Sequence, residues 1–199
     1  MFRVTQLMQE LIAPTPLGPR RDLPGPVVIW NLIRRCNLLC KHCYAISGDV
    51  DFPGELSTPE VFTVMDDLKR FRVPVLILSG GEPLLRRDIF DISQRAKAMG
   101  FYVGLSTNGT LISGGNIGQI AAMNYDYVGI SLDGIGATHD MFRRKQGAFD
   151  QSLAALRLCR DNGIKTGMRF TMTMDNAAEF PKLLDLMNEE GIDKFYLSH

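Results

Sequence analysis

The chain has 199 residues, 45% hydrophobic and 22% charged, with 22 basic residues balanced by 22 acidic ones. That is enough chain to bury one sizeable core, and the even charge gives no basis for nucleic-acid or membrane-surface binding. Four cysteines, three of them within eight residues, are not a disulfide framework; the first ten residues lack a signal peptide's apolar run and no stretch reaches the apolar length of a membrane span, so a reducing, cytoplasmic setting is expected.

Val4, Leu7, Met8, Leu11 and Ile12 recur at helical spacing and predict a short amphipathic helix over 4–12. A connector with Pro14, Pro16, Pro19, Pro24 and Pro26 follows, expected as an extended arm over the body of the protein. Residues 1–26 are therefore expected as helix and arm, and 27–199 as the core. Strands are expected at 27–32, 75–79, 102–106, 127–132, 166–173 and 194–198. Between them fall helices. One starts at Ser57 with Glu60 at capping-box spacing, one runs from about Asp88 to Gly100, and a weaker one lies near 117–123. Another covers about 149–162, and a last one starts at Asn176 with Glu179 at capping-box spacing and ends near Gly191. Strands alternating with helices imply an α/β fold with a parallel sheet and right-handed crossovers. A barrel and a doubly wound open sheet both satisfy this rhythm. The chain stops at the end of its sixth strand, at His199, with no covering helix, so a truncated chain, a fragment or a disordered remainder is expected.

After the first strand, Cys36, Cys40 and Cys43 stand at C-x3-C-x2-C spacing. Three thiolates on one short loop suit three irons of a cubane and leave the fourth iron open. Zinc held by the three cysteines and His42 is the rival reading, although adjacent residues such as His42 and Cys43 rarely both reach one metal on a tight loop. Cys159, amid Leu153 and Leu156, is expected as a buried small hydrophobe.

Polar motifs follow the other strands. Gly80-Gly81-Glu82 follows the second, where two backbone carbonyls and a carboxylate suit an ammonium group. Ser106-Thr107-Asn108-Gly109 follows the third, as a plain turn or a row of polar contacts. Ser131-Leu132-Asp133-Gly134 follows the fourth, with Arg143 and Arg144 beyond it. On the fifth strand Arg169 and Thr171 alternate with Met168 and Phe170, so one pair faces inward. His139 is expected as a surface or helix-capping residue. Arg34, Arg35, Arg86, Arg87, Arg143, Arg144 and Lys145 all follow strand ends and predict a basic rim suited to a ligand with several carboxylates.

On the cysteine triad, the GGE and SLDG segments and the β/α rhythm, the sequence resembles the radical S-adenosylmethionine (SAM) superfamily, from residue 27 nearly to its end. The resemblance implies a partial (β/α)6 TIM-like barrel and a [4Fe–4S] cluster on Cys36, Cys40 and Cys43. It also implies cleavage of SAM to a 5′-deoxyadenosyl radical, with electrons from a donor such as a ferredoxin or flavodoxin. It places Gly80, Gly81 and Glu82 at the methionyl amine, and Ser131 and Arg143 at the ribose or carboxylate. Asp133 would shape the mouth, and His42, Tyr44, Ser106, Asn108 and Arg169 are further contact candidates. The segments 25–32, 36–44, 55–58 and 76–86 are most similar to the haem d1 biosynthesis branch, which implies an iron tetrapyrrole substrate, didecarboxysirohaem, losing propionate side chains. Related decarboxylases of alternative haem synthesis, peptide-modifying members and a zinc-stabilised binding module are the alternatives. Similar proteins continue into a cysteine-rich extension with a further cluster. No cysteine follows Cys159 here, which puts turnover by these 199 residues alone in question.

Overall fold

The computed structural model describes residues 2–13 and 25–198; the proline-rich connector falls on 14–24, outside the described residues. In chain order the elements are β1 (Phe2–Arg3), α1 (Val4–Ile12), β2 (Val27–Asn31), α2 (Thr58–Arg70), β3 (Val75–Ser79) and α3 (Ile89–Ala98). There follow β4 (Tyr102–Thr107), α4 (Ile117–Ala122), β5 (Tyr127–Ser131), α5 (Ala137–Arg143), α6 (Ala148–Asp161), β6 (Thr166–Thr171), α7 (Phe180–Glu189) and β7 (Lys194–Ser198). All six expected strands form, within two residues at each end.

The strand order is β1-β7-β6-β5-β4-β3-β2, with β2 to β7 parallel and β1 antiparallel to β7. Six parallel strands in unbroken sequence order need every right-handed crossover to pass over the same face, so the helices form one outer layer. A doubly wound sheet would reverse its order midway. The sheet instead curls into a half-barrel with its other face concave. Leu76, Leu78, Val103, Leu105, Val128 and Ile130 are fully buried and belong to the core shared with the helices.

Local sequence explains the outer layer. At the start of α2 the Ser57 N–H donates to the Glu60 carboxylate (2.8 Å), as the capping-box spacing predicts. Asn176 departs from the expectation. Its amide donates to the carbonyls of Asp133 and Thr171 while Glu179 accepts from the Ile135 N–H, so both residues tie the ends of β5 and β6 together rather than cap each other. Two elements were not expected: β1, only two residues long, and α5, seven residues behind Gly134-Ile135-Gly136. The Asp140 carboxylate of α5 accepts from the N–H groups of Gly147 (2.6 Å) and Phe149 (2.8 Å), which fixes α5 to the start of α6.

Candidate functional site

Residues Leu32 to Leu56, between β2 and α2, form the cysteine loop, and its two ends are clamped. Arg86, 9% exposed, donates to the Leu32 carbonyl at one end (2.7 Å) and the Leu56 carbonyl at the other (2.8 Å), with Asp88 holding its guanidinium. Within the loop, the Cys36 N–H donates to the Gly48 carbonyl (2.9 Å) and the Cys43 N–H to that of Cys40 (3.3 Å). From the far side the Phe142 carbonyl of α5 accepts from the Lys41 N–H (2.8 Å).

The glycine pair after β3 lies directly beneath this loop. Gly81 donates its N–H to the Ile33 carbonyl (2.6 Å), and Glu82 to that of Arg35 (2.9 Å). A Cβ on Gly80 would sit 2.4 Å from the Ile33 oxygen, and one on Gly81 2.4 Å from the Arg35 oxygen. Only glycine permits this approach. Glu82 is fully buried and lies outside the cavity lining. Its carboxylate accepts from the Thr107 hydroxyl (2.8 Å), the Asn108 N–H (2.8 Å) and the Leu84 N–H (3.1 Å). Burial raises its pKa against the pull of those three donors. The carboxylate therefore joins the ends of β3 and β4 rather than facing a ligand.

A cavity of about 530 Å³ opens above the concave face. Cys36, Cys40 and Cys43 line one side, with His42 and Tyr44. Gly80, Gly81, Ser106, Asn108 and Ser131 line the strand ends, and Arg143 and Arg169 supply positive charge. Asn108 is engaged locally: its Nδ2 donates to the Asn37 side chain (2.9 Å) and lies 3.9 Å from the Cys36 sulfur. Tyr44, largely exposed, donates its hydroxyl to Asn31 (3.2 Å).

Arg143 and Arg144 separate cleanly. Arg144 ends α5 in a left-handed conformation and is exposed. Arg143 is 8% exposed, with Nη1 donating to the Cys40 sulfur (3.5 Å) and Nη2 2.6 Å from the Asp133 carboxylate. Asp133, fully buried and absent from the cavity lining, also lies 3.3 Å from His42 Nε2. His139 is buried beside it rather than on the surface, its Nδ1 accepting the Asp133 N–H (3.0 Å). Burial, reinforced by Arg143, pushes its pKa down to about 4.

On β6, Arg169 and Thr171 face the cavity while Met168 and Phe170 pack into the core. Gly129 on β5 makes room: a Cβ there would lie 2.9 Å from Arg169 Cδ. Burial lowers the Arg169 pKa, and its buried Nη1 has no hydrogen-bond partner among the described residues. Arg169 lines the cavity, and a guanidinium there suits a ligand anion. Tyr196 and Ser198 of β7 also line the cavity and were missed from the sequence. Their alternation along the last strand is the same signal that marked Arg169 and Thr171.

The expected basic rim does not form. Arg34 lies over the Phe52 ring (4.2 Å), Arg35 pairs with Asp49 and Asp51, Arg86 clamps the loop, and neither Arg87, Arg144 nor Lys145 lines the cavity. Of the seven expected rim residues only Arg143 lines the cavity, and Arg169 of β6 supplies the other positive charge there.

The thiols differ in character. Burial pushes Cys36 up to about 11 and also raises Cys40. Cys43 is opposed by burial too, but the N–H groups of Ser47, Ala45 and Ile46 bring it below the usual thiol value. Among the described residues no three His, Cys, Asp or Glu side chains converge as a single metal ion requires. Three thiols spread along one loop beside an open cavity, with a guanidinium at Cys40, are a donor set that fits a larger cluster of irons. Cys159 is fully buried, pushed up to about 12, and remote from this site.

Residues 30–187 match the model of the radical SAM superfamily. The chain is 54% identical over all 199 residues to the pre-heme d1 synthase of Dinoroseobacter shibae, covering 49% of that protein. It is 45% identical over 174 residues, 87% of its length, to the Fe-coproporphyrin III synthase of Methanosarcina barkeri, covering 44% of it. The chain thus spans about half the length of these relatives. In fold it is similar to the structure of Streptococcus suis SuiB bound to S-adenosylmethionine, with a TM-score of 0.75 at 18% identity, over 88% of this chain and 41% of that one. The chain belongs to the radical SAM superfamily.

Proposed function

We propose that this chain is the radical-generating core of an enzyme of haem d1 formation, residues 27–199 being the barrel and 1–26 a helix and arm. The 54% identity to a pre-heme d1 synthase across the whole chain carries the assignment to haem d1. In this reading Cys36, Cys40 and Cys43 hold three irons of a [4Fe–4S] cluster and SAM lies in the 530 Å³ cavity. When bound and reduced by a donor such as a ferredoxin or flavodoxin, the pair supplies a 5′-deoxyadenosyl radical for hydrogen abstraction from a propionate side chain of didecarboxysirohaem.

The chain's own residues bind and position. Gly80 and Gly81 offer backbone groups to the methionyl amine at a point where no side chain fits. Glu82 fixes that segment against Asn108 rather than touching the ligand. Ser106, Ser131, His42 and Tyr44 face the ligand as polar contacts, and Arg169 offers a guanidinium to a carboxylate. Asp133 holds Arg143 in place. A zinc module would need the cysteines and His42 to converge on one ion, and no three His, Cys, Asp or Glu side chains do so among the described residues.

The 45% identity to an Fe-coproporphyrin III synthase supports a second reading, carboxyl loss from the side chains of a related iron tetrapyrrole. Anaerobic incubation of the reconstituted protein with SAM, dithionite and didecarboxysirohaem, followed by mass analysis, separates the two. Loss of propionate mass supports haem d1 formation and loss of carbon dioxide alone supports decarboxylation. In a version extended to the full length of these relatives, an unchanged tetrapyrrole with 5′-deoxyadenosine still formed removes both substrates and leaves the radical core.

A further inference from the structure

Arg86, Gly48 and Phe142 hold the loop by hydrogen bonds to its backbone, and the contact between Arg143 and Cys40 is made to a side chain in addition to these. It brings a guanidinium, 8% exposed, to a thiol through an N–H donor at 3.5 Å. The other end of the guanidinium is fixed by Asp133, which no solvent reaches. Asp133 is itself held from three sides. Its Oδ1 accepts the Thr171 N–H (3.1 Å), its own N–H donates to His139, and Asn176 donates to its carbonyl (3.0 Å). A cation is thereby locked against one particular sulfur, at the end of a chain of buried contacts running from β6 and α5.

We infer that Arg143, aligned by Asp133, is a positioning residue that sets the reduction potential of a cluster ligated by Cys40. The inference rests on the cluster reading above. A guanidinium donating to a ligating thiolate stabilises the extra negative charge of the reduced cluster, and the weak screening of a buried site magnifies the effect. Asp133 works in two opposed ways: it aims the guanidinium, and its negative charge offsets part of the gain. Desolvation opposes the charge on Arg143, yet Asp133 and Cys40 together keep it protonated. The same geometry separates the two cavity arginines. Arg143 has Nη1 on Cys40 and Nη2 on Asp133, with only its Nε unpartnered among the described residues, whereas no cysteine or carboxylate there holds Arg169.

The test is an anaerobic redox titration of the reconstituted chain, followed by the electron paramagnetic resonance of the reduced cluster, without SAM. Arg143→Gln is expected to move the midpoint to a more negative value, and Arg143→Lys to fall between it and the wild type. Asp133→Asn keeps one oxygen for the Thr171 N–H and turns an NH2 toward Arg143 Nη2, so it releases the guanidinium and is expected to move the midpoint the same way by a smaller amount. Arg169→Gln removes a cavity cation that makes no hydrogen bond to a cysteine among the described residues, and so measures the general effect of a lost charge. A midpoint unchanged in Arg143→Gln, or moved no further than in Arg169→Gln, overturns the inference. If Arg143→Gln takes up no iron, the shifts of Arg143→Lys and Asp133→Asn against Arg169→Gln decide the matter. A wild type that assembles no cluster overturns both this inference and the reading beneath it, whereas equal midpoints on intact clusters overturn this inference alone.

Discussion

Gly81→Ala is the sharpest probe of how the cysteine loop is seated. The added Cβ would stand 2.4 Å from the Arg35 oxygen and 2.5 Å from the Arg34 oxygen, both backbone atoms. Reaching an ordinary contact of 3.4 Å requires about 1 Å of retreat by the segment that leads into Cys36. Overpacking of this kind costs roughly 1–3 kcal/mol. The retreat also stretches the bonds from Gly81 to Ile33 and from Glu82 to Arg35, each worth about 1 kcal/mol net. Together they lower the melting temperature by on the order of 10 °C in a chain of this size. Gly118 in α4 is the control, because nothing lies within 4 Å of its Cβ position. There, alanine is expected to add about 0.5–1 kcal/mol through helix propensity. Thermal melts followed by circular dichroism, with iron counted after reconstitution, measure both effects. A Gly81→Ala protein that melts with the wild type and binds a full complement of iron would refute the reasoning.

Further outcomes follow from other buried groups. Glu82→Gln turns an amide NH2 either toward the Asn108 N–H or toward the Thr107 hydroxyl and the Leu84 N–H, and should cost about 1–3 kcal/mol in chemical denaturation. His139 has its folded pKa near 4, below the usual 6.5, so the unfolded chain takes up a proton first. Stability from this residue is complete above about pH 6.5 and falls as pH drops toward 4, by about 3 kcal/mol in all. His139→Gln should flatten the pH dependence of urea unfolding of the cluster-free chain across that window. Cys159→Ala should keep full iron and lose roughly 1 kcal/mol of stability, since the thiol only fills core space.

The six parallel strands were legible because central strands such as Val75–Ser79 are apolar on both faces and helices separate them at regular intervals. Barrel curl was not, since periodicity says nothing of strand order. The short α5 escaped notice because its seven residues carry no apolar period, and β1 because two residues carry no pattern at all. At the site, motif positions were legible and directions were not. The sequence brought Glu82 and Asp133 to the right strand ends. Only the fold shows that both carboxylates are buried under the cavity rather than in its lining. Arg143 and Arg144 are neighbours in sequence, and the helix end that buries one exposes the other. The basic rim failed for a related reason. A count of arginines after strand ends does not register Asp49, Asp51 and Asp88, which pair with Arg35 and Arg86.

The central claim is that three thiols on one loop and the cavity beside them make a radical-generating site. It is tested most directly by the reductive cleavage of SAM. The anaerobically reconstituted chain should contain about four irons and release 5′-deoxyadenosine from SAM with dithionite, and Cys36→Ala, Cys40→Ala and Cys43→Ala should each abolish the release. A colourless protein holding one zinc, or a coloured one that leaves SAM intact, would contradict the account.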